Sequence, residues 1–432
     1  MPTTLPPERV AALIAGLAAP AAPTVAGARA VHVLYGGAHL YRRGGAAKLG
    51  AIARAAMDAF GDDEQTFARS VGLADATLAG ELARRVREKL EREPIEKTCI
   101  DFEDGYGPRP DAEEDADAVR AASERASEPP GARPVVGVRI KALSPESARR
   151  GIRTLDLFLT TLARATGGRL PDGFTVTLPK VSRAEEVAAL AALLSSLEQS
   201  LGIASAARIG IELMVETPRA LLAEDGRVAL PGLVAAADGR CVAAHLGAYD
   251  LTASLGVTAG EQRLDHPACD AARLLMQLAL AGTSVEVVDG ATTVLPTGKD
   301  GEAVRAAWSL HAKAVRRALA LGIYQGWDLH PAQLPARYGA VYGFFLAERA
   351  AMTARLRGFV AKATQATRAG QIFDDAATGQ GLLAFFARGV ACGALDEDEL
   401  TATGLSLDEV RGRSFARIVE SRALYSADGS ST

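Results

Sequence analysis

Eight short runs rich in β-branched and apolar residues recur along the chain, each followed by a stretch of helical periodicity, and no other feature restricts the fold as much. The runs are Val31 to Leu34, Thr98 to Phe102, Val135 to Ile140, Phe174 to Leu178, Ile209 to Val215, Cys241 to Leu246, Ser284 to Val288 and Ile323 to Trp327. Helical stretches such as Ala46 to Phe60, Asp111 to Arg125, Pro145 to Ala165, Arg183 to Leu201 and Gly301 to Leu321 lie between them. Alternating strands and helices imply parallel strands joined by crossover helices, and a count of eight predicts an α/β fold, a closed (β/α)8 TIM barrel. The competing architecture is an open doubly wound sheet. It would carry G-x-G-x-x-G after the first strand, and that motif is absent there.

The barrel is expected to span residues 31–357, after an N-terminal helix and linker over residues 1–30. Beyond it the pattern stays helical, predicting a C-terminal extension over 358–425 that is a possible lid. The last seven residues, 426–432, are polar enough to be disordered. With 432 residues and 48% apolar content, the chain has ample material for such a core.

Composition also narrows the partners. A formal charge of −4 gives no electrostatic reason to expect nucleic acid or an anionic membrane. No uninterrupted apolar run approaches the roughly 20 residues needed to cross a bilayer. The Ala-rich start, Val10 to Ala26, lacks a basic leading region and is broken by Pro20 and Pro23, so it reads as helix and linker rather than an export signal. Cys99, Cys241, Cys269 and Cys392 are widely spaced without a C-x-x-C pair, which fits reduced thiols in a cytoplasmic protein.

In a barrel the strands all open at their carboxyl ends on one face, and polar residues there are candidates for chemistry. Two runs end on single acids. Ile209 to Val215 leads to Glu216, and Cys241 to Leu246 leads through Gly247-Ala248-Tyr249 to Asp250. Two oxygen donors on one rim, with no His or Cys beside them, suit Mg²⁺ or Mn²⁺ completed by water and substrate. The plainer role for both is to cap the helices that follow. Arg139, at the end of the third run, is shaped to clamp a carboxylate or enolate bidentately, or else to form a buried ion pair with Glu103 or Asp104. Lys180 is read as an electrostatic or structural group ahead of a Schiff-base lysine. Strand alternation turns Asp101 and Glu103 inward together and Phe102 outward, with Asp104 at the loop start.

Three further features stay peripheral. Asp328 and His330 are read as a supporting pair, and His266 as the cap of the next helix. Gly36-Gly37 and Gly44-Gly45, with Arg42 and Arg43, could cradle a phosphate-bearing group such as coenzyme A. Paired glycines after a barrel strand more often serve a turn.

The order of motifs resembles the aldolase/citrate lyase β-subunit superfamily (HpcH/HpaI type), which includes malyl-CoA lyases. The matching segments are Asp101-Phe102-Glu103-Asp104, Val138-Arg139-Ile140, Leu178-Pro179-Lys180-Val181, Ile211-Glu212 to Glu216-Thr217, and Gly247-Ala248-Tyr249-Asp250-Leu251. The resemblance covers roughly Val31 to Leu334. It implies Mg²⁺ on Glu216 and Asp250, substrate binding by Arg139, and a homo-oligomer, trimer or hexamer. It also implies a carbon-carbon lyase or aldolase working through a metal-stabilised enolate, on a small 2-oxo acid or a short acyl-CoA thioester. Asp374 and Asp375 are candidates for the acidic lid residue of malyl-CoA lyases. A coenzyme A thioester hydrolase using the same site, or a barrel that binds without turnover, would share much of this pattern.

Overall fold

The computed structural model describes residues 8–9, 30–204, 207–368, 376–412 and 414–428. Its centre is a closed barrel of eight parallel strands in sequential order. They are β1 (His32–Gly37), β2 (Lys97–Asp101), β3 (Val135–Arg139), β4 (Thr175–Leu178), β5 (Gly210–Val215), β6 (Cys241–Leu246), β7 (Glu286–Asp289) and β8 (Gln325–Asp328). Each falls within a few residues of the run that predicted it.

Alternation along the strands divides the core into two layers. Val33, Tyr35, Cys99, Met214, Val288 and Trp327 fill the barrel interior. Their neighbours Ile100, Val138, Val176, Leu213 and Val215 point outward to the helices. The same parity turns Asp101 inward beside Arg139, with which it is in register. Polar residues occupy the interior below them. Glu212 is fully buried and pairs with Lys97, accepts from Thr177 Oγ1 at 2.9 Å, and lies 3.6 Å from His245 Nε2.

The helix Leu334–Arg368 runs without interruption through residue 357, the expected end of the barrel. At about 1.5 Å per residue it is some 50 Å long, and it carries the extension as a continuation of the barrel's last helix. Leu382, Phe386, Leu395, Leu400, Phe415 and Ile418 of the extension share one core with Leu82, Val86 and Trp308 of the barrel helices. Arg349 and Arg85 both pair with Glu81 and Glu399, tying the layers by charge. Arg388, Ala391 and Cys392 line a cavity with Val31, Val285, Glu286 and Gln325, at the amino ends of β1, β7 and β8. This part of the extension, expected as a possible lid, thus lies against the opposite end of the barrel from the acidic rim. Asp374 and Asp375 lie outside the described residues. No helix among the described residues is long and apolar enough to cross a membrane.

Candidate active site

Six strand ends converge on one cavity of about 430 Å³ at the carboxyl face of the barrel. Arg139, Asp101, Asp104, Glu216 and Asp250 line it together with Tyr35 and Trp327. Arg139 is anchored by Asp101, which takes Nε at 2.7 Å and Nη2 at 2.6 Å in a buried bidentate pair. The expected pairing with Glu103 or Asp104 is also present but looser, at 3.4 and 3.8 Å from the remaining nitrogen, Nη1, so the main partner is one the sequence did not single out. Asp101 wins because it is the last inward residue of the neighbouring strand, whereas the other two belong to the loop. Asp101 is itself fixed by the amides of Glu103 (2.9 Å) and Gly105 (2.7 Å). A side chain at position 105 would strike its Oδ2, so glycine is needed there. Tyr35 lies under the guanidinium, 5.1 Å from ring centre to Cζ.

Glu216 is almost fully buried and accepts the Lys180 amide at 2.6 Å. Capping does not explain it, because Thr217 caps the following helix by accepting from Ala220 N. Nor does Asp250 cap, since Gly247 holds that position for the helix Ala248–Ser254. Gly247 must be glycine for another reason: a Cβ there would collide with the Glu216 carboxylate. Burial pushes the Glu216 carboxyl up to about 7. Lys180 and Arg139 oppose that rise, and the charge of Asp250 adds to it.

Lys180 reaches across the rim. Its ammonium pairs with Glu103 and lies 3.3 Å from Asp104 and 3.9 Å from Asp250. Burial works against the ammonium, but these partners outweigh it and raise the lysine above its ordinary range. An amine held protonated in this way is no Schiff-base nucleophile. Glu103 is raised chiefly by burial, against the pull of Arg139.

The carboxylates on this rim offer oxygen donors alone, and Glu216 and Asp250 repel each other, with the Lys180 ammonium 3.9 Å from Asp250 as a partial offset. That fits a hard divalent ion such as Mg²⁺. Among the described residues no group of three or more His, Cys, Asp or Glu side chains is arranged to hold a metal, so water and substrate would supply the remaining ligands.

Of the peripheral expectations, the pair of Asp328 with His330 is corrected and the His266 cap holds. His330 does not pair with Asp328; its Nδ1 accepts from the Ala332 amide and caps the turn Pro331–Gln333. Asp328 faces the helices instead, bound by Arg337 and His311. His266 caps the helix Pro267–Leu280 through Ala268 N. In the glycine-rich segment, the amides of Arg43 and Gly44 are already taken by Glu124 and Glu128, each at 3.0 Å, so these two are not open to a phosphate. Tyr35 and Trp327 were not singled out as site residues, because an aromatic within an apolar strand reads as core.

Residues 18–418 match the model of a domain family described as a domain of unknown function (DUF6986). No curated protein matches the chain. Among solved structures, the chain is similar to a citrate lyase from Burkholderia xenovorans LB400, at 20% identity over 74% of this chain and 92% of that one, with a TM-score of 0.52. At that identity the likeness is one of fold. RipC from Yersinia pestis aligns at 21% identity over 58% of this chain and 90% of its own, with a TM-score of 0.39. A Haloferax volcanii malate synthase in its magnesium/glyoxylate complex aligns at 18% identity over 82% and 94%, with a TM-score of 0.43.

Proposed function

The chain belongs to the DUF6986 family, and within that family we propose that it is a Mg²⁺-dependent carbon-carbon lyase or aldolase for a small 2-oxo acid or short acyl-CoA thioester. One observation carries the reading: two carboxylates, Glu216 and Asp250, face a rigidly held guanidinium, Arg139, across a single cavity. Glu216 and Asp250 would hold the ion. When bound, it would supply Lewis acidity toward a chelated 2-oxo acid.

The chain's own residues do the rest. Asp101 occupies Nε and Nη2 of Arg139, which fixes the fork; Nη1, held more loosely by Glu103 at 3.4 Å and Asp104 at 3.8 Å, would donate to a substrate carboxylate or to the oxygen that gains charge as an enolate forms. Tyr35 and Trp327 wall the cavity on the β1 and β8 side and exclude water from that charge. Glu103 and Asp104 are the groups placed to move a proton. Glu103 is the better holder, because burial keeps its carboxyl above the usual range.

The superfamily resemblance of the strand-end motifs supports the same reading. We also read the chain as a homo-oligomer, to which the exposed Leu274 and Leu278, one turn apart on the helix Pro267–Leu280, lend a face. Light scattering at micromolar concentration should then show more than a monomer.

The function is tested by incubating the protein with oxaloacetate, other 2-oxo acids and short acyl-CoA thioesters, and identifying products. Carbon-carbon cleavage or condensation, abolished by EDTA and restored by Mg²⁺ or Mn²⁺, is expected. Metal-independent turnover would overturn the mechanism. Release of free acid and coenzyme A without carbon-carbon cleavage would make the protein a thioester hydrolase.

A further inference from the structure

Lys180 touches four acids of the rim. Its ammonium contacts Glu103, Asp104 and Asp250, and its backbone amide donates to Glu216. To do so it adopts φ +52°, a left-handed conformation that an L side chain seldom takes. Strain of this kind persists where surrounding contacts over-determine a residue, and here those contacts are the four carboxylates.

The side chain is not sealed in place. It is 34% exposed and also lines a groove of about 510 Å³, whose other walls include Lys141, Ser144, Ser147 and Ser182. This groove adjoins the cavity, and Asp104 lines both.

We propose that Lys180 is the resident counter-ion of the acid cluster, a tethered cation that leaves Asp250 and turns into the neighbouring groove when a divalent ion is bound. This rests on the assignment of Glu216 and Asp250 as metal ligands. Two cations cannot share Asp250 without strong mutual repulsion at such short range. The bound state therefore costs the lysine its place, and the apparent metal affinity is reduced by the fraction of time the lysine occupies it. The groove can receive the displaced ammonium because it is lined by Glu186 as well as by Glu103 and Asp104, whereas Lys141 on its wall is already held by Glu114 at 3.0 Å and by the Phe102 carbonyl at 2.7 Å.

Mg²⁺ titration by calorimetry into the full-length protein, Lys180→Met and Glu216→Gln tests this. The expected result is binding to Lys180→Met about tenfold or more tighter than to the native chain, with none to Glu216→Gln. Equal or weaker binding to Lys180→Met, with binding to the native chain intact, overturns the proposal and leaves the metal assignment standing. No binding to any of the three overturns both.

A second measurement separates displacement from simple charge removal and needs no variant, so it also decides the matter if Lys180→Met misfolds. The rate at which an amine-acylating reagent modifies Lys180 is followed by mass spectrometry with and without Mg²⁺. Displacement predicts faster modification of Lys180 with the ion present. An unchanged rate overturns displacement even if Lys180→Met binds the ion more tightly.

Discussion

Among the buried arginine–aspartate pairs at strand ends in this barrel, those of Asp328 and Asp101 have surroundings that differ in a way that separates architecture from chemistry. Arg337 binds Asp328 through Nε at 3.1 Å and Nη2 at 2.8 Å, and His311 Nε2 approaches the same carboxylate at 3.1 Å. Asp328 is in register with Leu34, which points outward to the helices, so its pair is enclosed in the helical layer. Asp101 has the opposite parity. Its pair with Arg139 faces the interior, under an open cavity, with Nη1 of the arginine held only loosely by Glu103 and Asp104 at the cavity's edge. One residue of parity decides whether an ion pair becomes a rivet or part of a site.

The rivet is the place to expect the largest loss of stability. Arg337→Leu strands Asp328 without its main partner and should cost about 3–5 kcal/mol in denaturant unfolding. Mg²⁺ binding should survive under native conditions. A comparable loss of Mg²⁺ binding would show that the two regions are not separate. The same pair sets a pH dependence. Burial opposes ionisation of Asp328, but Arg337 and His311 outweigh it and hold the carboxyl well below its usual range. An unfolded aspartate titrates near about 3.9, so the unfolded state takes up protons first as pH falls. The pair's stabilisation is therefore complete above about pH 4 and drains away below it. Thermal unfolding followed from pH 7 to pH 3 should show that decline, and Arg337→Leu should flatten it.

On the site side, Arg139→Lys keeps the charge and loses the fork. The lysine cannot serve Asp101 and a substrate carboxylate at once, so the affinity for oxaloacetate in the presence of Mg²⁺ should fall by about 1.5–3 kcal/mol, measured by calorimetry. Unchanged affinity would remove Arg139 from the substrate site. Glu216→Gln should move stability by no more than about 1 kcal/mol, since it relieves a buried charge as it removes one. A large destabilisation would recast Glu216 as structural. An effect on stability alone is expected at His330→Ala, a lost cap costing about 1 kcal/mol with metal binding untouched.

Why some of this was legible in sequence and some was not follows from the range of each interaction. Glu216 and Asp250 stand out because each closes an apolar run, and strand direction alone brings such positions to one face. Arg139 was legible for the same reason, but its partner was not. Asp101, Glu103 and Asp104 are close neighbours, and the choice among them depends on where the strand ends and the loop turns. Asp328 was misassigned to His330 because the true partners, Arg337 and His311, come from two helices that only the closed barrel brings together. Glu212 hid inside an apolar strand, its partners Lys97, Thr177 and His245 on three other strands. The left-handed backbone of Lys180 leaves no mark in Leu178-Pro179-Lys180-Val181, since it arises from carboxylates contributed by other strand ends.

Calorimetric titration of Mg²⁺ into metal-free native protein, with and without oxaloacetate, tests the central claim most directly. The account predicts that the protein binds the ion, that the 2-oxo acid tightens the binding, and that Glu216→Gln abolishes both. Binding that is absent in the native chain, or unchanged in Glu216→Gln, would contradict it.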